Sequence, residues 1–257
     1  MSLFLFNCSA TEGVFHLFKS TDRFRPLEAD PEILYEEGAR DFALKVARVL
    51  PEAIKTVEQR QYNHFLRPIK IYVCNSRESF RDITGRDVRA LTYRGAIYIS
   101  QRLHERPEWL KGYLTHELSH LLIGQHAGVF AGAKMPPWFV EGLATYVSNG
   151  GGAEDVTDTE AIQAILSGRH FVPELEGGFI FRKTASSFGL RPHMFYRQAA
   201  LFVSFMKAYD EMAFKSLLWH IYRGSNFRDA FTASYSVPIK TLWNEFVVKL
   251  NQTQIQR

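Results

Sequence analysis

Thr115-His116-Glu117-Leu118-Ser119-His120 is an H-E-x-x-H stretch set in a run that reads as helix. Residues four apart on an α-helix stand one turn above each other, so His116 and His120 point to the same side. Two imidazoles held that way can grip one metal ion, and Glu117 lies beside them, close enough to handle a water on that ion. The flanks agree with this reading. Tyr113, His116, Glu117 and His120 form one polar stripe, and Leu114, Leu118, Leu121 and Leu122 form the apolar back that would face a core. Pro107 and Glu108 suit the first turn of such a helix, and Gly124 or Gly128 can end it.

With nine His and eighteen Glu in 257 residues, chance supplies this spacing roughly 0.02 times per chain, which weighs against two ordinary surface histidines. A second stretch strengthens the metal reading: Pro136-Pro137-Trp138-Phe139-Val140-Glu141-Gly142-Leu143-Ala144-Thr145-Tyr146. A catalytic zinc takes three protein ligands and a water. Glu141, twenty-one positions after His120, is the natural third. Gly142 and Ala144 are small, which would let this helix pack closely against the first.

Together, H-E-L-S-H and P-W-F-V-E-G-L-A-T-Y resemble the gluzincin metallopeptidases, and among them the peptidase MA-like domains, with thermolysin and aminopeptidase N as distant relatives. The resemblance spans about Phe15 to Leu250 and is most specific over 113–146. It implies zinc held by His116, His120 and Glu141, with Glu117 as general base. It also implies an α+β, zincin-like fold in which an edge strand before the metal helix aligns an extended peptide. One departure is plain. Thermolysin carries an Asp four residues after the third ligand to support a histidine, and here that position is Thr145, so the support must come from elsewhere.

The composition is that of an ordinary soluble chain, 46% hydrophobic and 23% charged, long enough for a sizeable core. No stretch approaches the apolar length of a membrane span. The Met1–Phe6 run is too short for a signal-peptide core and lacks a basic start, so a cytoplasmic location is the default, with an export signal upstream as the alternative. Cys8 and Cys74 make no disulfide framework and have no metal-ligand spacing. The net charge of +4 is modest, and acids interleave the arginines between Arg77 and Arg94, which favours a solvated face over a nucleic-acid surface.

Taken in order, residues 13–19 read as a strand. Asp30 and Pro31 read as the N-cap and first residue of a long helix, with Leu34, Ala39, Phe42, Ala43, Val46 and Leu50 buried. Pro51 should kink or break that helix before a second section ending near Gln61. Residues 69–73 alternate as a strand, and Ser76 and Gly85 bracket a helix over 77–84. Residues 90–100 read as strand with a turn or bulge at Gly95. Tyr93, Gly95, Ala96 and Ile97 are the candidate substrate-binding residues of an edge, whose free N–H and C=O groups hold a peptide without reading its sequence. The alternative is a plain sheet strand.

Asn149-Gly150-Gly151-Gly152 reads as a flexible break between a mixed front lobe over about 13–148 and a helical back lobe over about 156–250. Asp158 or Thr159 should cap a helix over 160–167, and 168–190 reads as a loop able to cover the cleft. Pro192 opens a helix to about Tyr209, and three more follow near 211–222, 226–233 and 238–250, with Trp219, Phe227, Phe231, Trp243 and Phe246 assigned to core. Strands first and helices afterwards argue one α+β domain.

Within the resemblance, the oxyanion donor falls on Tyr196, fifty-five residues past Glu141 at a helix start, with His193 as runner-up and a merely packed tyrosine as the alternative. The region 93–98 holds no acid for a substrate's free amine, which points to internal cleavage of a peptide or protein substrate. The leading expectation is therefore a zinc-dependent endopeptidase. A catalytically inactive, zinc-stabilised peptide-binding module of the same fold is the alternative, and a metal-free helical scaffold is the third.

Overall fold

A computed structural model of the chain describes residues 21–128, 132, 134–177 and 182–255. The expected strand at 13–19 lies outside them. The described residues form an α+β chain that divides into two compact units. Of the described residues, the first comprises 21–51 together with Pro68–Leu110, and the second comprises Glu52–Arg67 together with those from Lys111 onward. The division therefore falls elsewhere than at the Asn149–Gly152 break expected from sequence.

The first unit is built on a five-stranded mixed sheet. Its strands are β1 (Arg25–Leu27), β2 (Asp30–Tyr35), β3 (Ile71–Val73), β4 (Ala90–Tyr93) and β5 (Ala96–Ile99), in the order β1-β2-β3-β5-β4. The central pairs β2–β3 and β3–β5 are parallel, with Ile33 opposite Ile71 and Ile71 opposite Ile97. Ile33, Ile71, Val73, Ile97 and Ile99 are buried on one face, and Tyr98 packs with Phe80 and Ile83 on the other, so the parallel strands are covered on both. β4 and β5 form a hairpin whose two-residue loop, Arg94-Gly95, has positive φ at both positions (52° and 80°). That is the mirror-image turn whose twist matches the strands.

The predicted helix start at Asp30-Pro31 is wrong, since these residues open β2. Asp30 is ambiguous locally, since the short carboxylate that caps helices equally well accepts a bond from two residues on, and here Asp30 Oδ1 takes the Glu32 N–H at 3.1 Å while β1 and β3 pair with the strand on either side. The helix α1 begins later, at Arg40, and runs unbroken to Gln61. It passes through Pro51 instead of splitting there. Pro51 is exposed, so water can serve the Ala47 carbonyl deprived of its bond, while the buried stripe Val46, Leu50, Ala53 and Val57 continues straight through. α2 (Arg77–Thr84) is bracketed as expected: Ser76 accepts from the Ser79 N–H, and Gly85 closes the end at φ 69°. Glu36, buried beside β2, accepts from the Asn75 N–H at 2.7 Å and from the Ser79 hydroxyl and pairs with Arg23 at 2.6 Å, tying the sheet to α2. A short α3 (Gln101–His104) and a 3-10 turn over Pro107–Trp109 follow.

The second unit is helical: α4 (Leu110–Ala127), α5 (Pro137–Val147), α6 (Asp158–Leu166), α7 (Pro192–Tyr209), α8 (Glu211–Tyr222), α9 (Phe227–Ser234) and α10 (Ile239–Ile255). Gly128, at φ 85°, ends α4. Thr157, one residue before the expected cap, opens α6 in a reciprocal capping box with Glu160. Trp138, Phe139, Phe171, Phe202, Phe227, Trp243 and Phe246 form an aromatic core, with ring centroids 4.6–5.9 Å apart across pairs such as Phe139–Phe227 and Trp138–Phe171. Trp219, assigned to that core from sequence, is instead 54% exposed, its ring covered by the Arg223 guanidinium at 4.8 Å. No described helix is long and apolar enough to cross a membrane.

Gly142 makes the close helix approach expected of it, but to another partner. A Cβ there would lie 2.8 Å from the Ala199 carbonyl carbon of α7. The obstacle is helix backbone, so it cannot yield by a rotamer change. Gly142→Ala is accordingly expected to destabilise the protein by roughly 1–3 kcal/mol through overpacking. Urea unfolding of parent and variant measures this, and an unchanged midpoint would mean that the two helices can separate freely.

Candidate metal centre

His116 and His120 stand one turn apart on α4, and Glu141 comes from the first half of α5. Their ligand atoms all lie within 4.8 Å of one another. His116 Nε2 is 3.0 Å from His120 Nε2, and Glu141 Oε2 is 3.4 Å and 3.6 Å from the two nitrogens. Zinc bonds of about 2.0–2.1 Å at tetrahedral angles place ligand atoms roughly 3.3 Å apart. The triangle is close to that spacing. The set suits a divalent cation: two imidazole nitrogens and a carboxylate oxygen face one another, and a metal ion among them would be bonded by all three.

The tautomer of His116 is set by the chain. Its Nδ1 is 2.9 Å from the Gly151 carbonyl, which can only accept, so Nδ1 carries the proton and Nε2 presents its lone pair to the centre. This is the support that the sequence left unassigned at Thr145. Thr145 Oγ1 does reach the same Nδ1, at the longer distance of 3.5 Å, but the backbone carbonyl supplies the closer contact. The carbonyl also accepts from Ser148 Oγ at 3.2 Å.

The Asn149–Gly152 stretch is thus no flexible break. Gly150, Gly151 and Gly152 are buried, and each is glycine for a physical reason. A Cβ on Gly151 would overlap the backbone of Gly112, one turn before His116 on α4. A Cβ on Gly152 would lie 2.7 Å from His116 Nδ1, and Gly150 and Gly152 both have positive φ (100° and 81°). The far side of α4 is anchored too. Gln61 donates to Ser119 Oγ, inside the H-E-x-x-H motif, and Tyr222 donates its hydroxyl to Gln61 Oε1 at 2.7 Å.

The three groups are strongly coupled electrostatically. Burial disfavours the charged form of His116, yet hydrogen bonding to Glu141 and the charges of Glu117 and Glu141 hold its pKa above the ordinary value. Burial likewise opposes ionisation of Glu141, but the His120 and His116 imidazoles hold its carboxyl well below the usual range. Glu117 is buried on the same helix, its charge felt by both His116 and Tyr196. Tyr196 stands with its ring 6.2 Å from that of His116. The Glu141 carboxylate, burial and Glu117 push its phenol well above the ordinary range, so the hydroxyl keeps its proton.

His193 is engaged elsewhere, with Nδ1 3.0 Å from the Asp155 carboxylate. Among the described residues no other histidine joins a metal-type cluster; His104, for one, stacks on Phe42 at 4.0 Å and burial drops its pKa to about 4. Of the candidate substrate residues, Tyr93 ends the outer strand β4 and Gly95 lies in the hairpin loop. Ala96 and Ile97 sit on β5, which is paired on both sides, so the free edge belongs to Ala90–Tyr93 instead. The sequence reading missed Arg182, whose charge is felt by Glu141 and Tyr196. It stands in an irregular segment with no periodicity to mark it. Gly151 was also missed, although a buried glycine run beside a helix is itself a signal of close backbone approach. No protein-family model matches the chain, and no curated protein sequence matches it.

One zinc per chain is expected by metal analysis, lost on replacing His116, His120 or Glu141 by Ala. Protons compete for His116, and its raised pKa sets the sign. Zinc affinity should be full above that pKa and fall as pH drops through it, the loss beginning above the pKa of about 6.5 of a free imidazole. Competition titrations across pH with a chromophoric chelator measure this; a flat profile would remove His116 from the ligand set.

Proposed function

We propose that this chain is a zinc-dependent peptidase of the gluzincin type, with a peptidase MA-like, zincin-like fold, hydrolysing internal bonds of a peptide or protein substrate. The observation that carries the reading is the convergence of His116 Nε2, His120 Nε2 and a Glu141 carboxylate oxygen, with Glu117 next in the chain to the first of them. An α+β chain whose sheet ends in an outer hairpin strand, Ala90–Tyr93, shortly before the motif helix in sequence is also in keeping with it.

When bound, zinc supplies Lewis acidity, polarising a carbonyl oxygen and acidifying water towards neutrality. The protein groups do the rest. Glu117 takes the proton of the attacking water on its carboxylate and returns it to the leaving amine. Tyr196, kept neutral by its carboxylate neighbours, donates its O–H to the carbonyl oxygen as negative charge develops there. The segment Tyr93–Tyr98 holds no acid to receive a free ammonium, which favours internal cleavage.

Glu117→Gln is expected to keep its zinc and lose roughly 10²–10⁴-fold in kcat, because the ligands remain while the base is gone. A variant as active as the parent on a mixed peptide library would refute the mechanism. Tyr196→Phe should lower kcat by roughly 10²–10³ with KM little changed, and His193→Ala should not. The reverse ranking would move the donor role to His193. Efficient release of single residues from short aminoacyl substrates, abolished by blocking their amines, would overturn the endopeptidase reading.

A further inference from the structure

The turn that carries the Gly151 carbonyl is held from one side by a guanidinium. Arg197, on the first half of α7, is largely buried, with its side chain 15% exposed. Its Nη2 donates to the Ala153 carbonyl at 3.0 Å and to the Gly150 carbonyl at 3.4 Å. Its Nη1 reaches the Asp158 carboxylate of α6 at 3.3 Å. The guanidinium lies directly against Gly150, where a Cβ would collide with it. Gly150 and Ala153 bracket Gly151 and Gly152, so the fork fixes the backbone on both sides of the peptide that meets His116. A glycine run with two positive-φ residues samples many conformations when unpinned. In most of them the Gly151 carbonyl would point away from Nδ1.

We infer that Arg197 is a positioning residue of the metal centre, pinning the 148–153 turn so that the Gly151 carbonyl orients His116. It acts through two intermediaries, the turn and the imidazole, and touches no ligand atom itself. A planar fork suits this task, since Nη2 bonds the two carbonyls while Nη1 reaches Asp158; a lysine's single nitrogen has donors enough for the carbonyls but no second, fixed arm for the carboxylate. The inference rests on the reading of His116 as a metal ligand, and the experiment separates the two.

Zinc dissociation constants are to be measured by chelator competition for the parent, Arg197→Gln, Arg197→Lys and Asp158→Asn. Unfolding midpoints of the metal-free proteins and the visible d–d bands of the cobalt-loaded forms accompany them. Arg197→Gln is expected to weaken zinc about 10- to 100-fold, as loss of support for a ligand does elsewhere, with Arg197→Lys recovering part of the loss. Asp158, 63% exposed, anchors only the outer end of the fork. Asp158→Asn should therefore leave the metal-free midpoint in place, weaken zinc by more than about threefold and shift the cobalt bands, even if Arg197→Gln fails to fold. A parent that binds zinc alongside Asp158→Asn and Arg197→Lys variants with affinities within about twofold of it and unshifted bands overturns the positioning role alone. A parent that binds no zinc overturns the metal reading and this inference with it.

Discussion

The hydrogen bond from His116 Nδ1 to the Gly151 carbonyl is the constraint on which the rest of the centre depends. It decides which nitrogen carries the proton, and so whether a lone pair faces His120 and Glu141 at all. Its 2.9 Å length requires the backbone of one turn to lie against the backbone of one helix. That closeness is available only because Gly151 faces Gly112 and because Gly152 offers no Cβ to the imidazole. A buried carbonyl on a glycine turn must be held, since a buried polar group left without a partner costs about 1–3 kcal/mol. Ser148, Arg197 and the backbone bond from Gly150 N to Thr145 O at 2.8 Å do the holding.

The helix α7 distributes this support. Three consecutive residues on it turn to three different tasks: Tyr196 to the imidazole of His116, Arg197 to the glycine turn, and Gln198 to the segment before the irregular loop. Gln198 is fully buried and donates to the Arg169 carbonyl at 2.9 Å. The next residue, Ala199, receives Gly142 of α5, which puts the neighbouring Glu141 in register with α7. Successive helical residues are about 100° apart, so one short stretch can address three surroundings. Glu141, Tyr196 and Arg197 are therefore set by one helix pair, and a shift of α7 against α5 would disturb all three side chains and the glycine turn together.

Much of this was legible in the residues where chemistry is local. The helical placing of His116 and His120, the Ser76–Gly85 bracket, Pro192 as a helix start and the turn at Gly95 each depend on a few neighbouring side chains, and each appears as read or nearly so. The failures share a cause. Asp30 can cap a helix or bond two residues on, and the choice is made by β1 and β3, which flank β2 in the sheet. Pro51 ought to stop a helix, but a buried stripe on the opposite face outweighs one lost hydrogen bond. Asn149–Gly152 looks like slack because freedom of φ and closeness of approach require the same residue, glycine. Trp219 reads as core since its size says so, while its position on α8 leaves it outside. For Asp30 and for Asn149–Gly152 a partner distant in sequence takes part, and for Pro51 and Trp219 it is which face of their own helix is buried; local pattern reaches neither.

The absence of a carboxylate at position 145 has an electrostatic consequence that follows from the same geometry. A histidine supported by a carbonyl gains orientation but no neighbouring negative charge, unlike one supported by an Asp. Glu141 and Glu117 both act on Tyr196, and the Arg182 guanidinium opposes them there. Thr145 and the Gly151 carbonyl thus do for the orientation of His116 what an Asp would do, without adding a further charge at that nitrogen.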